Sequence, residues 1–291
     1  LSLPPLKLEV FQALWAMQQR RPGVAERPVE ESFAMIAAAG YDGVGIDLGV
    51  TPLEEAQALG PLLARHNLGC LITAFVKTMD GLTPVLDLAQ RLDARHVNLI
   101  GQVMPLSAEA TVPVARRWME MAEAAGVALQ FETHRNSITN DMFATLQLLD
   151  AVPEMVISAD LSHYVVGREF DSPPDARTEG HIARLLARSG SFQGRIASRQ
   201  QIQVPFGFPQ YAKWLDVFLG WWEAGFSQWR RHGSCGSFDR SPTGVLNFLC
   251  ELGPHEYAMT GPDGYELSDR WEEALILKDH ARRLWSALET A

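Results

Sequence analysis

Four stretches of this chain run through apolar residues and end in an oxygen donor. Val127-Ala-Leu-Gln-Phe-Glu132 is followed by His134 and Arg135, and Met155-Val-Ile-Ser-Ala-Asp160 by His163. Ser191-Phe-Gln193-Gly-Arg195 carries an amide and a guanidinium, and Leu246-Asn-Phe-Leu-Cys-Glu251 runs into Leu252-Gly-Pro254. If each run is a buried strand, its donor sits at the C-terminal end, and residues two apart point to the same side. Strand ends of that kind deliver Glu132, Asp160, Gln193 and Glu251 to one place, the pattern of a metal site at the mouth of a parallel barrel. Three carboxylates and an amide are hard donors that favour Mg²⁺ or Mn²⁺, whereas a His in place of Gln193 would favour Zn²⁺ or Co²⁺, which stay open. Gln193 either touches the ion or hydrogen-bonds a water that does.

Other polar groups share the expected mouth. His134 and His163 each follow a proposed ligand by two or three residues, which puts them against a substrate. Arg195 shares a side with Gln193 and needs an anionic partner, either a site carboxylate or a substrate acid. Trp15 ends the first strand and Lys77 the third, and both are expected substrate contacts. His255 and Glu256 lie in the loop after the last strand, where they would line the rim. The run Ser234-Cys-Gly-Ser237 lacks a phosphate-loop pattern.

Eight strands must position these residues. Leu8–Leu14, Tyr41–Asp47, Leu68–Phe75, His96–Ile100, 127–132, 155–160, 191–197 and 245–251 read as strands. They alternate with helical stretches at a spacing of roughly 30 residues, the (β/α)8 rhythm of a TIM barrel. Thr51-Pro-Leu-Glu54 has a capping-box arrangement for a helix to His66, bent at Gly60-Pro61. Ser107 caps and Gly126 ends another helix. Thr139 or Asn140 is the expected cap of the helix after the fifth strand, and Ser268 that of the last helix, 268–288. On a long helix over 210–230, Trp214, Phe218 and Trp221 form one stripe for barrel packing. That leaves Trp222 and Phe226 for a partner subunit, so a homo-oligomer is expected.

With 291 residues, 47% hydrophobic, the chain can bury one large core as a single barrel domain over 1–291. A formal net charge of −10 argues against nucleic acid as a partner. Cys70, Cys235 and Cys250 have no CxxC spacing, so a reducing cytoplasm is the expected setting. No apolar run approaches the about 18 residues of a membrane span, so no membrane partner is expected.

The stretches FETHR (131–135), ADLSH (159–163), FQGRI (192–196) with QVP (203–205), and CELGP (250–254) resemble the xylose isomerase-like TIM-barrel superfamily. That group includes sugar isomerases and epimerases, hydroxypyruvate isomerase, inosose dehydratase and endonuclease IV. The resemblance spans nearly the whole barrel and is strongest over 127–258. It implies one divalent metal on Glu132, Asp160, Gln193 and Glu251, and His163 beside a sugar, sugar-acid or keto-acid substrate. Gln193 is similar to the glutamine ligand of the hydroxypyruvate isomerase branch, while the additional His ligands of the endonuclease IV cluster have no counterpart. The implied activity is isomerisation or epimerisation through an enediolate, with Glu132 and Glu251 as proton carriers. A dehydratase, a metal-dependent hydrolase and a non-catalytic sugar-binding barrel are the alternatives.

Overall fold

The structure, a computed structural model, describes residues 6–232 and 244–290. Eight parallel strands close into a barrel in sequence order. They are β1 (Lys7–Ala13), β2 (Gly43–Asp47), β3 (Gly69–Val76), β4 (Val97–Gly101), β5 (Leu129–Glu132), β6 (Ile157–Ala159), β7 (Ser189–Gly194) and β8 (Val245–Cys250), with β8 pairing back onto β1 from Lys7↔Val245 to Gln12↔Cys250. Around them lie α1 (Val29–Ala38), α2 (Leu53–Gln57), α3 (Gly60–His66), α4 (Thr83–Leu92), α5 (Ala108–Ala125), α6 (Met142–Ala151), α7 (Ser162–Gly167), α8 (Ala176–Leu186), α9 (Ala212–His232) and α10 (Arg270–Thr290). No helix among the described residues is long and apolar enough to cross a membrane.

Helices α1, α4, α8, α9 and α10 pack on the outside of the strands. In α4 the buried residues are Val85, Leu86, Leu88 and Ala89. Ser107 Oγ accepts from Ala110 N at 3.1 Å to start α5, and Gly126 ends it at φ 68°, both as the sequence suggests. The bend at Gly60-Pro61 is a full break between α2 and α3.

Several expected details differ. Pro52, not Thr51, is the N-cap of α2 and has an extended ψ of 147°, so no capping box forms. The cap of α6 is Asp141, whose Oδ1 accepts from Ala144 N, because Thr139 and Asn140 are engaged elsewhere. Asp269 Oδ1 accepts from Trp271 N and Glu272 N at the start of α10, while Ser268 donates to Glu273. Strand β7 begins at Ser189 and stops at Gly194. Trp222 and Phe226 are fully buried within this chain, against Phe248 and, for Phe226, Phe192. They therefore face the barrel and do not form a free face for a partner. The 234–237 run, with Cys235, lies outside the described residues.

Inside the barrel, the β1–β3 side is apolar. Phe11, Ala13, Leu71 and Leu249 form a separate buried cluster there. Its neighbours are small because the space is taken: a Cβ on Gly45 would lie 2.7 Å from Leu249 Cδ1. Much of the remaining lining, Thr73 of β3 included, is polar. Ser191 Oγ donates to Gln130 Oε1 at 2.6 Å and to Ser158 Oγ at 2.8 Å, and Asn98 Nδ2 donates to Thr73 Oγ1 at 3.3 Å.

Gly45→Val should therefore destabilise the barrel by about 1–3 kcal/mol through overpacking. A Gly180→Ala control, where nothing lies within 4 Å of the new Cβ, should be neutral or stabilising. Urea midpoints of the two variants are the measurement, and equal midpoints would contradict the packing account.

Candidate metal centre

Glu132 closes β5, Asp160 follows β6, Gln193 lies within β7 and Glu251 follows β8. All four are buried, Asp160 completely. One oxygen from each of Glu132, Asp160 and Glu251 lies within 4.8 Å of the other two. The barrel thus brings the three sequence-predicted carboxylates together at the C-terminal ends of strands that are far apart in the chain.

Each acid is held by the chain's own donors. Asn98 Nδ2 donates to Glu132 Oε2, as does Gln193 Nε2 at 3.4 Å. Gln193 Nε2 also donates to Ser158 Oγ at 3.1 Å. Asp160 Oδ1 accepts from Ser162 N at 3.0 Å and from Ser162 Oγ at 2.5 Å. Gln203 clamps the backbone beyond Glu251, donating to Gly253 O at 2.9 Å and accepting from Gly253 N at 2.7 Å. Arg195 lies between two of the acids. Its Nε is 3.3 Å from Asp160 Oδ2 and its Nη2 3.0 Å from Glu251 Oε2.

Burial and crowding shift the charges. Desolvation, then the charges of Glu251 and Asp160, raise Glu132 well above the ordinary carboxylate range. Burial raises Asp160 too, against the opposing pull of Arg195. Glu251 is pushed up to about 7, again mainly by burial. Burial alone would lower Arg195, but Glu251 and Asp160 raise it further above its already high value. His134 falls to about 4 and His163 well below its usual value, both mainly through burial, so both rings are neutral near pH 7.

The two imidazoles are 4.1 Å apart between ring centroids, and His163 Nε2 is 3.5 Å from Asp160 Oδ2. Trp15 meets Tyr257 edge-on at 5.1 Å, and the Arg195 guanidinium lies 4.6 Å from the Tyr257 ring. Lys77 is exposed after β3, and no ion pair or hydrogen bond among the described residues joins it to the carboxylates. His255 and Glu256 are exposed on the rim. A cavity of about 580 Å³ opens beside the mouth, lined by Trp15, Arg27, Thr51, Glu55 and Arg65 among others; it shares Trp15 with the site but none of the carboxylates.

Sequence reasoning missed Asn98, Ser162, Asp47 and Tyr257. Asp47 ends β2, and burial raises it to about 6; an acid closing a strand is the same signal that marked the other carboxylates. Asn98 is a polar residue in the middle of an apolar strand, which was a usable signal. Tyr257 sits in a loop and carried none.

No family model and no curated protein matches this chain. Solved structures do. A xylose isomerase-like TIM barrel protein from Mycobacterium smegmatis, in complex with magnesium, aligns with a TM-score of 0.62 at 14% identity over 96% of this chain and 97% of its own. D-allulose 3-epimerase from Methylomonas sp., in complex with D-allulose, aligns at 0.58 and 14% over 96% and 98%. The probable 3-DHS dehydratase from Bacillus anthracis involved in petrobactin synthesis aligns at 0.55 and 14% over 95% and 98%. The chain has the fold of the xylose isomerase-like TIM barrels.

The donors suit a divalent cation. Gln193 Oε1 has no hydrogen-bond partner among the described residues, and Asp160 Oδ2 and Glu251 Oε2 have none beyond their ion-pair contacts with Arg195 and, for Asp160, His163. Once all three ionise, three carboxylates against one guanidinium leave two negative charges for a cation to balance. A second trio, Glu132 with His134 and His163, shares Glu132 with the first.

Carboxylates must ionise before they hold a cation. An acid whose folded pKa is raised stabilises the fold below its unfolded pKa and loses that contribution as pH rises through the folded value, here about 7 for Glu251. A cation that binds the ionised acids reverses the loss. Mn²⁺ at fixed concentration should thus raise the melting temperature more at pH 8 than at pH 6. A larger rise at pH 6 would contradict this site.

Proposed function

We propose that this chain is a divalent-metal-dependent isomerase or epimerase of a sugar or keto acid. The observation that carries the reading is the pair Glu132 and Glu251. These are two buried carboxylates from separate strands, with oxygens within 4.8 Å; burial raises both above the ordinary carboxylate range, Glu251 to about 7. A general base works best when its pKa lies near the working pH. Glu132, Asp160, Gln193 and Glu251 would hold the cation, Mg²⁺ or Mn²⁺ by the hardness of the donors. When bound, the cation supplies positive charge that stabilises the negative charge developing on substrate oxygens as a carbon-bound proton leaves.

The chain's residues do the rest. Glu132 takes the proton on one side of the substrate carbon and Glu251 returns one on the other. Asn98 and Gln193 hold the Glu132 carboxylate through Oε2 and so fix the orientation of the whole group. His163 is neutral, and neither ring nitrogen has a hydrogen-bond partner among the described residues, which suits it to a substrate hydroxyl. Trp15 and Tyr257 wall the mouth and exclude water. The magnesium-bound and D-allulose-bound neighbours support the metal and the substrate class.

Solvent deuterium exchange into the carbon beside the carbonyl of a panel of ketoses and keto acids tests this reading. Glu132→Gln should slow exchange by about 10²–10⁴-fold while metal still binds. Asp160→Asn should weaken metal binding and recover partly at high metal. Full exchange in Glu132→Gln would leave Glu132 only a ligand and move the base to His134 or His163.

A second reading, dehydration of a carboxylate-bearing substrate, draws support from Arg195 Nη1, a buried donor with no hydrogen-bond partner among the described residues, and from the dehydratase neighbour. Release of a conjugated product, seen by ultraviolet absorbance, would favour it over epimerisation. Purified protein should bind about one equivalent of divalent ion, as one oxygen-rich site requires. Three equivalents of zinc would point instead to a hydrolase.

A further inference from the structure

We propose that Arg195 is a built-in monovalent cation of this centre, setting the charge of the donor set so that it prefers a divalent over a trivalent metal ion. The inference rests on the metal reading above and concerns what one residue does to it. A guanidinium keeps its charge at any pH a protein survives. Arg195 is 2% exposed and is gripped from two directions. Its Nε and Nη2 lie 3.3 and 3.0 Å from Asp160 and Glu251. Its face lies 4.6 Å from the Tyr257 ring and 5.8 Å from that of Trp15. It is therefore enclosed on its charged edge and on its face, and each carboxylate it touches keeps lone pairs for a second cation. Three carboxylates, one neutral amide and this guanidinium sum to two negative charges, which one divalent ion balances. Two further charged groups act here, Arg135 on Asp160 and Asp47 on Glu251, and they are opposite in sign.

Removing the guanidinium leaves three negative charges, which suits a trivalent ion. At a separation of about 5–6 Å and an effective dielectric of about 20, one unit charge changes the affinity for each further unit charge on the ion by on the order of 100-fold. The probes are Mn²⁺, followed by electron paramagnetic resonance, and Tb³⁺, followed by its emission on excitation of the neighbouring Trp15. Full-length protein is used throughout.

Arg195→Met should raise the Tb³⁺-to-Mn²⁺ affinity ratio by about 100-fold, whereas Arg195→Lys, which keeps the charge, should stay near the wild-type ratio. Arg195→Gln removes the charge and keeps a polar side chain, and should shift the ratio as Arg195→Met does, so the inference stays testable if Arg195→Met does not fold. An unchanged ratio in Arg195→Met or in Arg195→Gln overturns it. So does a shift in Arg195→Lys as large as in Arg195→Met. Wild-type protein that binds neither ion would overturn the metal reading itself. Wild-type protein that binds Mn²⁺, with a ratio indifferent to Arg195, overturns only this inference.

Discussion

Three carboxylates buried within 4.8 Å of one another repel strongly, and taking each out of water is costly unless something positive lies close by. Arg195 supplies one such charge. The rest of the mouth is arranged around that constraint. Asn98 and Gln193 hold Glu132 from below, Ser162 holds Asp160 with both its amide and its hydroxyl, and Gln203 pins the backbone after Glu251. Gly253 is needed where it is because a Cβ there would lie 2.8 Å from Tyr257 Cβ, and Tyr257 and Trp15 must close over the guanidinium.

The barrel interior is divided to match. The side built from β1 to β3 is filled by Phe11, Ala13 and Leu71. The side under the acids is a lattice of hydrogen-bonded side chains running from Gln130 through Ser191 and Ser158 to Gln193. His96, held neutral by burial with its pKa lowered to about 3, precedes β4 and lies 3.4 Å from Asn247 of β8. The hydrogen bonds that Gln130, Ser191 and Ser158 make restrict the rotamers on the side under the acids, while Gln193 Oε1 is left without a partner among the described residues. Gln193 thereby inherits an orientation from residues at the barrel's centre and passes it to Glu132.

The barrel and its acids were legible because both repeat. Eight apolar runs each followed by a helix leave few topologies, and an acid closing a run is visible without any long-range information. What the sequence hid depended on neighbours. Thr139, Asn140 and Asp141 are all plausible caps, and Asp141 serves because Thr139 is drawn away to the carbonyl of Glu132. The aromatic residues of α9 exceed one stripe, which suggests a free face. Yet α9 packs against α8 and α10 as well as the strands, so a wider apolar arc is covered than one contact surface would explain. Tyr257 lies in a loop with no periodicity, and only the closed chain brings it over Arg195.

The two ends of the barrel show why the excess charge at the mouth is significant. At the N-terminal end Glu9 is also buried, and burial alone would raise its pKa. Arg95 at 2.8 Å and Lys7 at 3.0 Å bring it below the ordinary range instead. There the acid has its full complement of cations and the pairing is structural. At the C-terminal end the sign is opposite: burial pushes all three acids upward, and the one guanidinium they share does not offset it. A fold that balances a buried acid at one end and, once its acids ionise, leaves two charges unbalanced at the other concentrates its electrostatic strain where the strand ends converge. That is the arrangement expected of a site completed by a cation from outside the chain.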